Sequence, residues 1–371
     1  MFGMAPVPGV RVTLISKDSV APYSGMLPGL IAGHYTYRDA HIDLRQLARF
    51  AGARAIFAEV TGLEAGRRTV HCGSRTPVPY DVLSINTGST PDASVPGAAE
   101  HAIAVKPIDS FLTQWDALRD RMLADELPRT IAVVGGGAGG VELLLSAQFR
   151  LRALLAAQGR SADRLEYHLF TASDTILPTH NARVRARFER ILRLRGVRVH
   201  TSSEVAQVTR DRLIMSTGAT CHADEILWTT EARAASWIPR SGLATDPDGF
   251  ISVTPTLQSV SHPGVFAAGD VASIVGRRLQ KSGVYAVRQG EALGPNLRRA
   301  LDGRRLIPYR PQRQVLSLIS TGDRYAVGSR GPFAFHGQWV WRWKDAIDRR
   351  FMRQYENLPE GPAEAGHPAR E

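Results

Sequence analysis

Cysteine is nearly absent from this 371-residue chain, where Cys72 and Cys221 stand alone. Two widely separated cysteines exclude a disulfide framework, a cysteine-rich metal centre and a C-x-x-C redox pair. Lysine is also scarce: Lys17, Lys106, Lys281 and Lys344 are the only four among 46 basic residues. The formal charge of +11 is therefore arginine's. It favours an anionic partner (nucleotide, nucleic acid or lipid) without choosing among them. Long apolar runs are missing too, since no stretch of about 18 residues escapes charge or glycine, which argues against a spanning helix. Residues 1–10 carry neither the basic nor the apolar segment of a signal peptide, so a cytoplasmic chain is the default expectation. Glycine, by contrast, is plentiful at 34 residues, and the length suits two or three domains.

The glycines matter most in Ile131-Ala-Val-Val-Gly135-Gly-Gly137-Ala-Gly-Gly140-Val-Glu142-Leu143. Four apolar residues read as a buried parallel strand, and the helical pattern that follows runs from Ala138 to Ala157. Between them Gly135, Gly137 and Gly140 have the G-x-G-x-x-G spacing. Gly135 permits a tight turn, Gly137 lets a pyrophosphate approach the backbone, and Gly140 lets helix pack on strand. The helix N-terminus supplies unpaired N–H donors to the phosphates. Strand, glycines and helix in this order predict a dinucleotide site.

A strand over Leu165–Thr171 should follow, ending where an acid usually holds the ribose. Here that end is Thr171-Ala172-Ser173, with Asp174 late, so the choice between NAD and NADP stays open. Asn181 is placed to cap the next helix, Val184, Phe188, Ile191 and Leu192 to form its buried face, and Gly196 to stop it. Seven arginines between Arg183 and Arg198 read first as a solvated face.

The pattern repeats. Glu59-Val60, Thr69-Val70 and Asp81-Val-Leu-Ser-Ile-Asn-Thr87-Gly88 parallel Glu204-Val205, Leu213-Ile214 and Asp224-Glu-Ile-Leu-Trp-Thr-Thr-Glu231. Two copies of one dinucleotide-binding unit are expected. In the second copy Gly135 precedes Asp224 by 89 positions, but 89 positions before Asp81 lies ahead of Met1. Val10–Ile15 would then be the second strand of its sheet. The first copy lacks an opening strand, glycine loop and helix, and the expectation is a gene product that begins upstream, or a fragment.

At the other end, Pro308–Arg313 reads as a linker, and Val315–Ile319 with Arg324–Val327 as a hairpin around Thr321-Gly322-Asp323. Residues 338–355 read as a helix with three tryptophans within five residues. Val340, Trp343, Ile347 and Phe351 share one face. Such a helix suits either a membrane interface or packing on protein, including a homodimer partner. The Pro/Gly/Glu-rich tail beyond Asn357 is expected to be disordered.

Placed together, these motifs resemble the two-dinucleotide-domain flavoproteins of the pyridine nucleotide-disulfide oxidoreductase family. Within it they look closest to type II NADH dehydrogenases and the oxidoreductase module associated with selenide, water dikinase. The resemblance rests on Tyr23-Ser-Gly-Met-Leu-Pro-Gly29, Asn86-Thr87-Gly88, the glycine loop with Glu142, Val265-Phe-Ala-Ala-Gly269-Asp270 and Lys281-Ser-Gly-Val-Tyr-Ala-Val-Arg-Gln-Gly290. It implies an α/β fold with two Rossmann-like domains for FAD and for NAD or NADP, plus a small C-terminal α+β region. It also implies the sites. Asp270, after Gly269, would hold the ribityl chain of FAD, although a helix N-cap is the plain alternative. Ser16 and Lys17 would meet the adenosine end. Ser24, Gly25 and Met26 would lie along the flavin, Thr87 and Gly88 would close the first unit, and Lys281 would open the helix covering the isoalloxazine. Glu142 would stand near the nicotinamide, though a first-turn glutamate is favourable without any ligand.

The implied organisation is 1–112 and 236–310 for flavin, 113–235 for nicotinamide, 311–357 for hairpin and helix, and 358–371 for the tail. Three departures accompany the resemblance. The cysteine pair of the disulfide reductases is absent, Glu231 and Ser146 replace a glycine and an acid, and the FAD glycine loop is missing. The implied activity is hydride transfer from NAD(P)H to FAD and on to a quinone or other small acceptor. The implied location is cytoplasmic, with peripheral contact on the inner face of the membrane. A non-catalytic nucleotide-binding or regulatory protein without stable FAD is the alternative. Nucleic-acid binding ranks last, because no aromatic–basic interleaving occurs outside the Trp-rich end. His34 and His41 lack metal-ligand spacing, and no metal site is expected.

Overall fold

Two parallel sheets organise the chain, one in two pieces and one continuous. The computed structural model describes residues 6–91, 94–230, 232–312, 314–356 and 358–359. In the split sheet, β1 (Thr13–Ser16) runs parallel to β2 (Arg54–Phe57), with Ile15 opposite Ile56. Helix α1 (Leu27–Ala32) lies between them in sequence and is closed by Gly33 in the left-handed region at φ +81°. An antiparallel flap follows, made of β3 (Gly62–Glu64), β4 (Thr69–His71) and β5 (Val78–Pro79). Then comes β6 (Leu83–Ile85).

The chain crosses over at β7 (Ile103–Ala104) and continues into α2 (Ile108–Ala124) and β8 (Arg129–Val134). Helix α3 covers Ala138–Ala157 as the periodicity predicts, and β9 covers Leu165–Phe170, ending one residue before the expected Thr171. Helix α4 (Ala182–Leu194) carries the predicted cap: the Asn181 side chain accepts from the Val184 N–H at 3.1 Å. It buries Val184, Phe188 and Leu192, with Ile191 half-buried, and Gly196 follows at φ +70°. After β10 (Val197–His200) come a second flap, β11 (Val205–Val208), β12 (Arg212–Met215) and β13 (Thr220–His222), and then β14 (Glu225–Trp228). The continuous sheet has the order β7-β14-β8-β9-β10, all parallel. Its middle strand is sealed on both faces, as doubly covered parallel sheets require. Ile131, Ala132 and Val133 are fully buried, and burial of each branched side chain contributes about 1.5–3 kcal/mol.

The returning strand β15 (Val265–Ala267) lies parallel to β6, with Phe266 opposite Ser84. The split sheet therefore consists of β15-β6 and β1-β2. Matching β6 to β14, β1 to β9 and flap to flap makes these pairs the counterparts of β7-β14 and β9-β10. Only the partner of β8, the glycine-loop strand, has no equivalent among the described residues. Its would-be neighbour β1 is half-buried along its whole length. The two chain crossings between the units lie side by side, Thr90–Pro91 antiparallel to Ala232–Arg233.

Helix α5 (Gly283–Leu301) covers the split unit. The segment read as a linker is pinned there instead. Tyr309 is buried in the core, its N–H bonds the Pro255 carbonyl at 2.7 Å, and Asn296 bonds both polar backbone atoms of Ile307. Beyond it, β16 (Ser317–Ser320), β17 (Ala326–Arg330) and a third strand the sequence did not suggest, β18 (Phe333–Gly337), form a meander. It leads into α6 (Gln338–Glu356). The face of α6 that is buried runs through Val340, Lys344, Asp348 and Met352. Trp343 and Ile347, grouped with Val340 by apolar counting, stay 40% and 42% exposed. The polar pair takes the inner positions because each finds its partner there: Lys344 Nζ lies 2.7 Å from Asp348 Oδ2. No helix among the described residues is long and apolar enough to cross a membrane. The tail from 360 onward, Asn357 and Glu231 lie outside the described residues.

Candidate dinucleotide-binding site

At the end of β8 the chain turns at Gly135, whose φ of +123° is closed to other residues. The Gly135 N–H bonds the Phe170 carbonyl at 2.9 Å, so the turn hangs on the neighbouring strand. A side chain at Gly140 would overlap the Gly135 carbonyl oxygen and Thr229, and one at Gly136 would meet Thr171. Gly137 and Gly139 differ: a Cβ on either would project into open space. Gly137 is the N-cap of α3, and no side chain caps that helix. An uncapped N-terminus with glycine on its open side leaves N–H groups for an anion's oxygens. Two glycines serve packing and two keep the cradle clear.

Beside the cradle, β9 ends in buried Thr171, exposed Ala172, half-exposed Ser173 and exposed Asp174. Thr171 Oγ1 accepts from the Ser173 N–H at 3.3 Å, so a hydroxyl occupies the place where a ribose-binding acid is usual. Ser146, in place of a family acid, is fully buried one helical turn beyond Glu142, packed against the turn at Gly322. A carboxylate there would be desolvated.

Glu142 lies on α3 with its Oε1 accepting from the Ser320 N–H at 2.6 Å. Loss of solvation pushes its carboxyl up to about 7, against the opposing pull of Lys344 and the Ser320 N–H. Lys344 also donates to the Gly25 carbonyl at 2.6 Å. Helix α6 thus connects Glu142 of one unit with the Ser24-Gly25-Met26 turn of the other. Around it, Tyr23 stacks on Phe351 at 4.5 Å and bonds Asp348, while the Tyr35 hydroxyl donates to Asp345 at 2.8 Å. Burial also raises the Asp348 carboxyl.

In the split unit, Gly269 sits at φ +74°, its N–H donating to Gln289 Oε1 at 2.6 Å. Gly269, Asp270 and Lys281 line one cavity of about 640 Å³ with Phe250, Tyr285 and Gln289. Lys281 lies just ahead of α5 and is already engaged. Its Nζ bonds the Ala272 carbonyl at 2.7 Å and sits 3.8 Å from the centre of the Phe250 ring, and burial lowers its pKa. Ser24 borders the start of α5 at Gly283. Gly88, at φ +72°, faces open space, and Thr87 precedes it in the loop after β6. Ser16 ends β1, and Lys17 makes an exposed ion pair with Glu59 at 3.2 Å; neither Ser16 nor Lys17 lines the cavity. His34 and His41 have structural partners, the Gly322 carbonyl at 2.7 Å and Asp109 at 3.1 Å.

Several residues here escaped sequence reasoning. Lys106 and Ser89 both touch Asp270, and Lys344, Asp348 and Ser320 surround Glu142. Lysine scarcity was the one available signal, since two of only four lysines take these positions.

The pattern of the pyridine nucleotide-disulphide oxidoreductases matches residues 3–290. An NADH dehydrogenase-like protein of Mycobacterium tuberculosis is 29% identical over 274 residues, covering 69% of this chain and 67% of that protein. A type II NADH:quinone oxidoreductase of Haemophilus influenzae is 26% identical over 279 residues, covering 68% and 63%. The chain thus spans about two-thirds of the length of these relatives. Its fold is similar to that of the sulfide:quinone oxidoreductase from the hyperthermophilic bacterium Aquifex aeolicus, with a TM-score of 0.79 at 17% identity over 98% of this chain and 89% of that one. With the glycine loop, the repeated units and this match in hand, the chain belongs to the pyridine nucleotide-disulphide oxidoreductase family.

Proposed function

We propose that the protein is an FAD-dependent NAD(P)H oxidoreductase that passes electrons to a quinone or a similar small acceptor. The observation that carries the reading is the cradle at Gly137 and Gly139, an uncapped helix N-terminus kept clear by glycine at the head of a fully buried parallel strand. In this reading the cradle binds the pyrophosphate of NADH or NADPH, and Glu142 borders the nicotinamide. Gly269 and Asp270 receive the ribityl chain of FAD, with Gly88, Thr87, Ser24, Gly25 and Lys281 nearby and Ser16 and Lys17 toward its adenosine end. The donor set fits the ribityl end: Asp270 Oδ1 accepts no hydrogen bond among the described residues, while Oδ2 is held by protein. When bound, the flavin supplies the redox chemistry, accepting hydride and releasing electrons to the acceptor. The chain's own residues bind, orient and exclude water, and Glu142, with its carboxyl near 7, can hold or release a proton at neutral pH.

The units in this reading are 1–112 with 236–310, 113–235, and 311–357, with the first crossing drawn forward to residue 103 by the pairing of Ile103–Ala104 with β14. The two curated relatives are named for NADH and one for quinone, and these names support the donor and acceptor. A second reading, a nucleotide-binding protein without stable flavin, draws on the split sheet, in which β1 and β6 belong to separate strand pairs. Purified protein that is yellow, bleached by NADH or NADPH and recoloured by a soluble quinone supports the first. Colourless protein that still binds NAD(P)H establishes the second.

A peripheral membrane location fits the outer face of α6 and β18. Phe333, Trp339, Trp343 and Ile347 are 66%, 56%, 40% and 42% exposed, and arginines follow on the same helix. Ring centroids of Phe335, Trp339 and Trp343 lie within 6.4 Å of one another. A rigid aromatic ridge beside cationic groups suits an anionic bilayer surface. Co-sedimentation with anionic but not zwitterionic vesicles would support the location, and no sedimentation with either would remove it.

A further inference from the structure

Three chain segments converge on the Asp270 carboxylate. Asp270 follows β15 in the split unit. Ser89 sits in the loop that leads into the crossing at Thr90. Lys106 follows β7, which hydrogen-bonds into the other unit's sheet, and the Val105 N–H bonds the Trp228 carbonyl at 3.1 Å. Lys106 Nζ donates to Asp270 Oδ2 at 2.8 Å and to Ser89 Oγ at 3.1 Å, and Ser89 Oγ donates to the same Oδ2 at 3.1 Å. The carboxylate end of the pair is shielded, with the Asp270 side chain 14% exposed, whereas the Lys106 side chain is 38% exposed. Both protein donors take one oxygen. The other, Oδ1, remains for a ligand in the cavity that Asp270 lines.

We propose that Lys106, assisted by Ser89, is a positioning residue for the cofactor-binding aspartate: it fixes the carboxylate so that Oδ1 meets a hydroxyl of the cofactor's polyol chain. Because Lys106 is anchored in the glycine-loop unit, it also ties the seat of the flavin to the setting of the two units. This rests on the flavin reading above. A carboxylate free to rotate would order only on binding, and a preset one avoids that cost. Both bonds end on an ionised carboxylate, but Lys106 brings a full positive charge at 2.8 Å and Ser89 only a hydroxyl at 3.1 Å, so Lys106 dominates.

The test measures FAD affinity by fluorescence quenching on protein stripped of flavin, and NADH affinity of the same stripped protein. Lys106→Met should weaken FAD binding at least tenfold, Lys106→Arg should retain most of it, and Ser89→Ala should lose less than Lys106→Met. Asp270→Asn combined with Lys106→Met should be no worse than Asp270→Asn alone, because Lys106 acts through Asp270. NADH affinity of the stripped variants should match the wild type. Equal FAD affinity in wild type and Lys106→Met overturns the positioning role and leaves the flavin reading standing. Additive losses in the double variant, or parallel loss of NADH affinity in Lys106→Met, overturn it in favour of a general structural role. A wild type without measurable FAD affinity overturns both the positioning role and the flavin reading.

Discussion

The two units carry the same strand order but hold themselves together differently. In the glycine-loop unit a central strand, β8, hydrogen-bonds on both edges and is sealed in apolar side chains. In the split unit the corresponding place lies between β1 and β6, and the two strand pairs are joined by side chains. Ile15 packs toward the core built around Ile85, Val265 and Phe266, α5 roofs it, and α6 grips the Ser24–Met26 turn from the opposite end of the chain. A continuous backbone ladder gives the glycine-loop unit its cohesion; the split unit joins its two strand pairs through an apolar core supplemented by a few long-range polar contacts. Those contacts should therefore be disproportionately costly to remove.

The largest effect is expected at Lys344. Lys344→Met would leave Asp348 buried without its cation and release the Gly25 carbonyl. Breaking a buried pair costs about 3–5 kcal/mol. Urea unfolding should show this loss, with the split unit melting first when followed by proteolysis. An effect below about 1 kcal/mol would mean that α6 does not hold the split unit.

One glycine from each unit then separates the units more finely. Gly140→Ala drives a methyl into a backbone oxygen held between strand and helix. It should cost about 3 kcal/mol and abolish NAD(P)H binding. At Gly269 the obstacle is the tip of the Asn86 side chain, which can turn away, so the cost is mainly the left-handed backbone at φ +74°. About 1–2 kcal/mol is expected there. Thermal unfolding with and without NADH compares them, and a larger loss at Gly269 would reverse the ranking of the units.

Glu142 offers a pH test at the junction. Its carboxyl rises from 4.5 to about 7 on folding, so the native state binds the extra proton. Stability from this group is therefore undiminished below about pH 4.5, falls as pH rises through the window, and stays reduced above about 7. The shift alone corresponds to about 3 kcal/mol, and the part of its surface still open to solvent brings this nearer about 1–2 kcal/mol. Glu142→Gln should accordingly gain stability at pH 8 and none at pH 4.5. A gain that is the same at both pH values would place the cause elsewhere.

Most of the glycine-loop unit was legible in the residues because its determinants are local. The strand, the three glycines and α3 follow one another, and Asn181 and Gly196 mark the ends of α4. The repeat itself is legible because Asp81–Gly88 and Asp224–Glu231 keep the same length and the flaps before them keep their order. What was not legible is the set of contacts that span the chain. Lys106 meets Asp270 across 164 positions, and Lys344 meets Gly25 across 319. No periodicity records such distances. The inner face of α6 is illegible for the same reason. Apolar spacing groups Val340, Trp343, Ile347 and Phe351 without saying what they meet, and a Lys–Asp pair four residues apart becomes an inner face once a distant carbonyl receives the lysine.

That exchange leaves the tryptophans outside, which makes the smallest predicted effect on stability informative. Trp339 and Trp343 touch mainly Phe335 and each other, and both are substantially exposed. Replacing both with alanine removes little buried area, so unfolding should shift by no more than about 0.5 kcal/mol. If the ridge is a bilayer-facing surface, the same variant should lose binding to anionic vesicles. A double variant that unfolds far more easily would show that the ridge is core, and one that keeps its vesicle binding would show that the arginines alone make the contact. Only a stable variant that no longer binds vesicles fits α6 as a helix with one face clamping the split unit and the other meeting lipid.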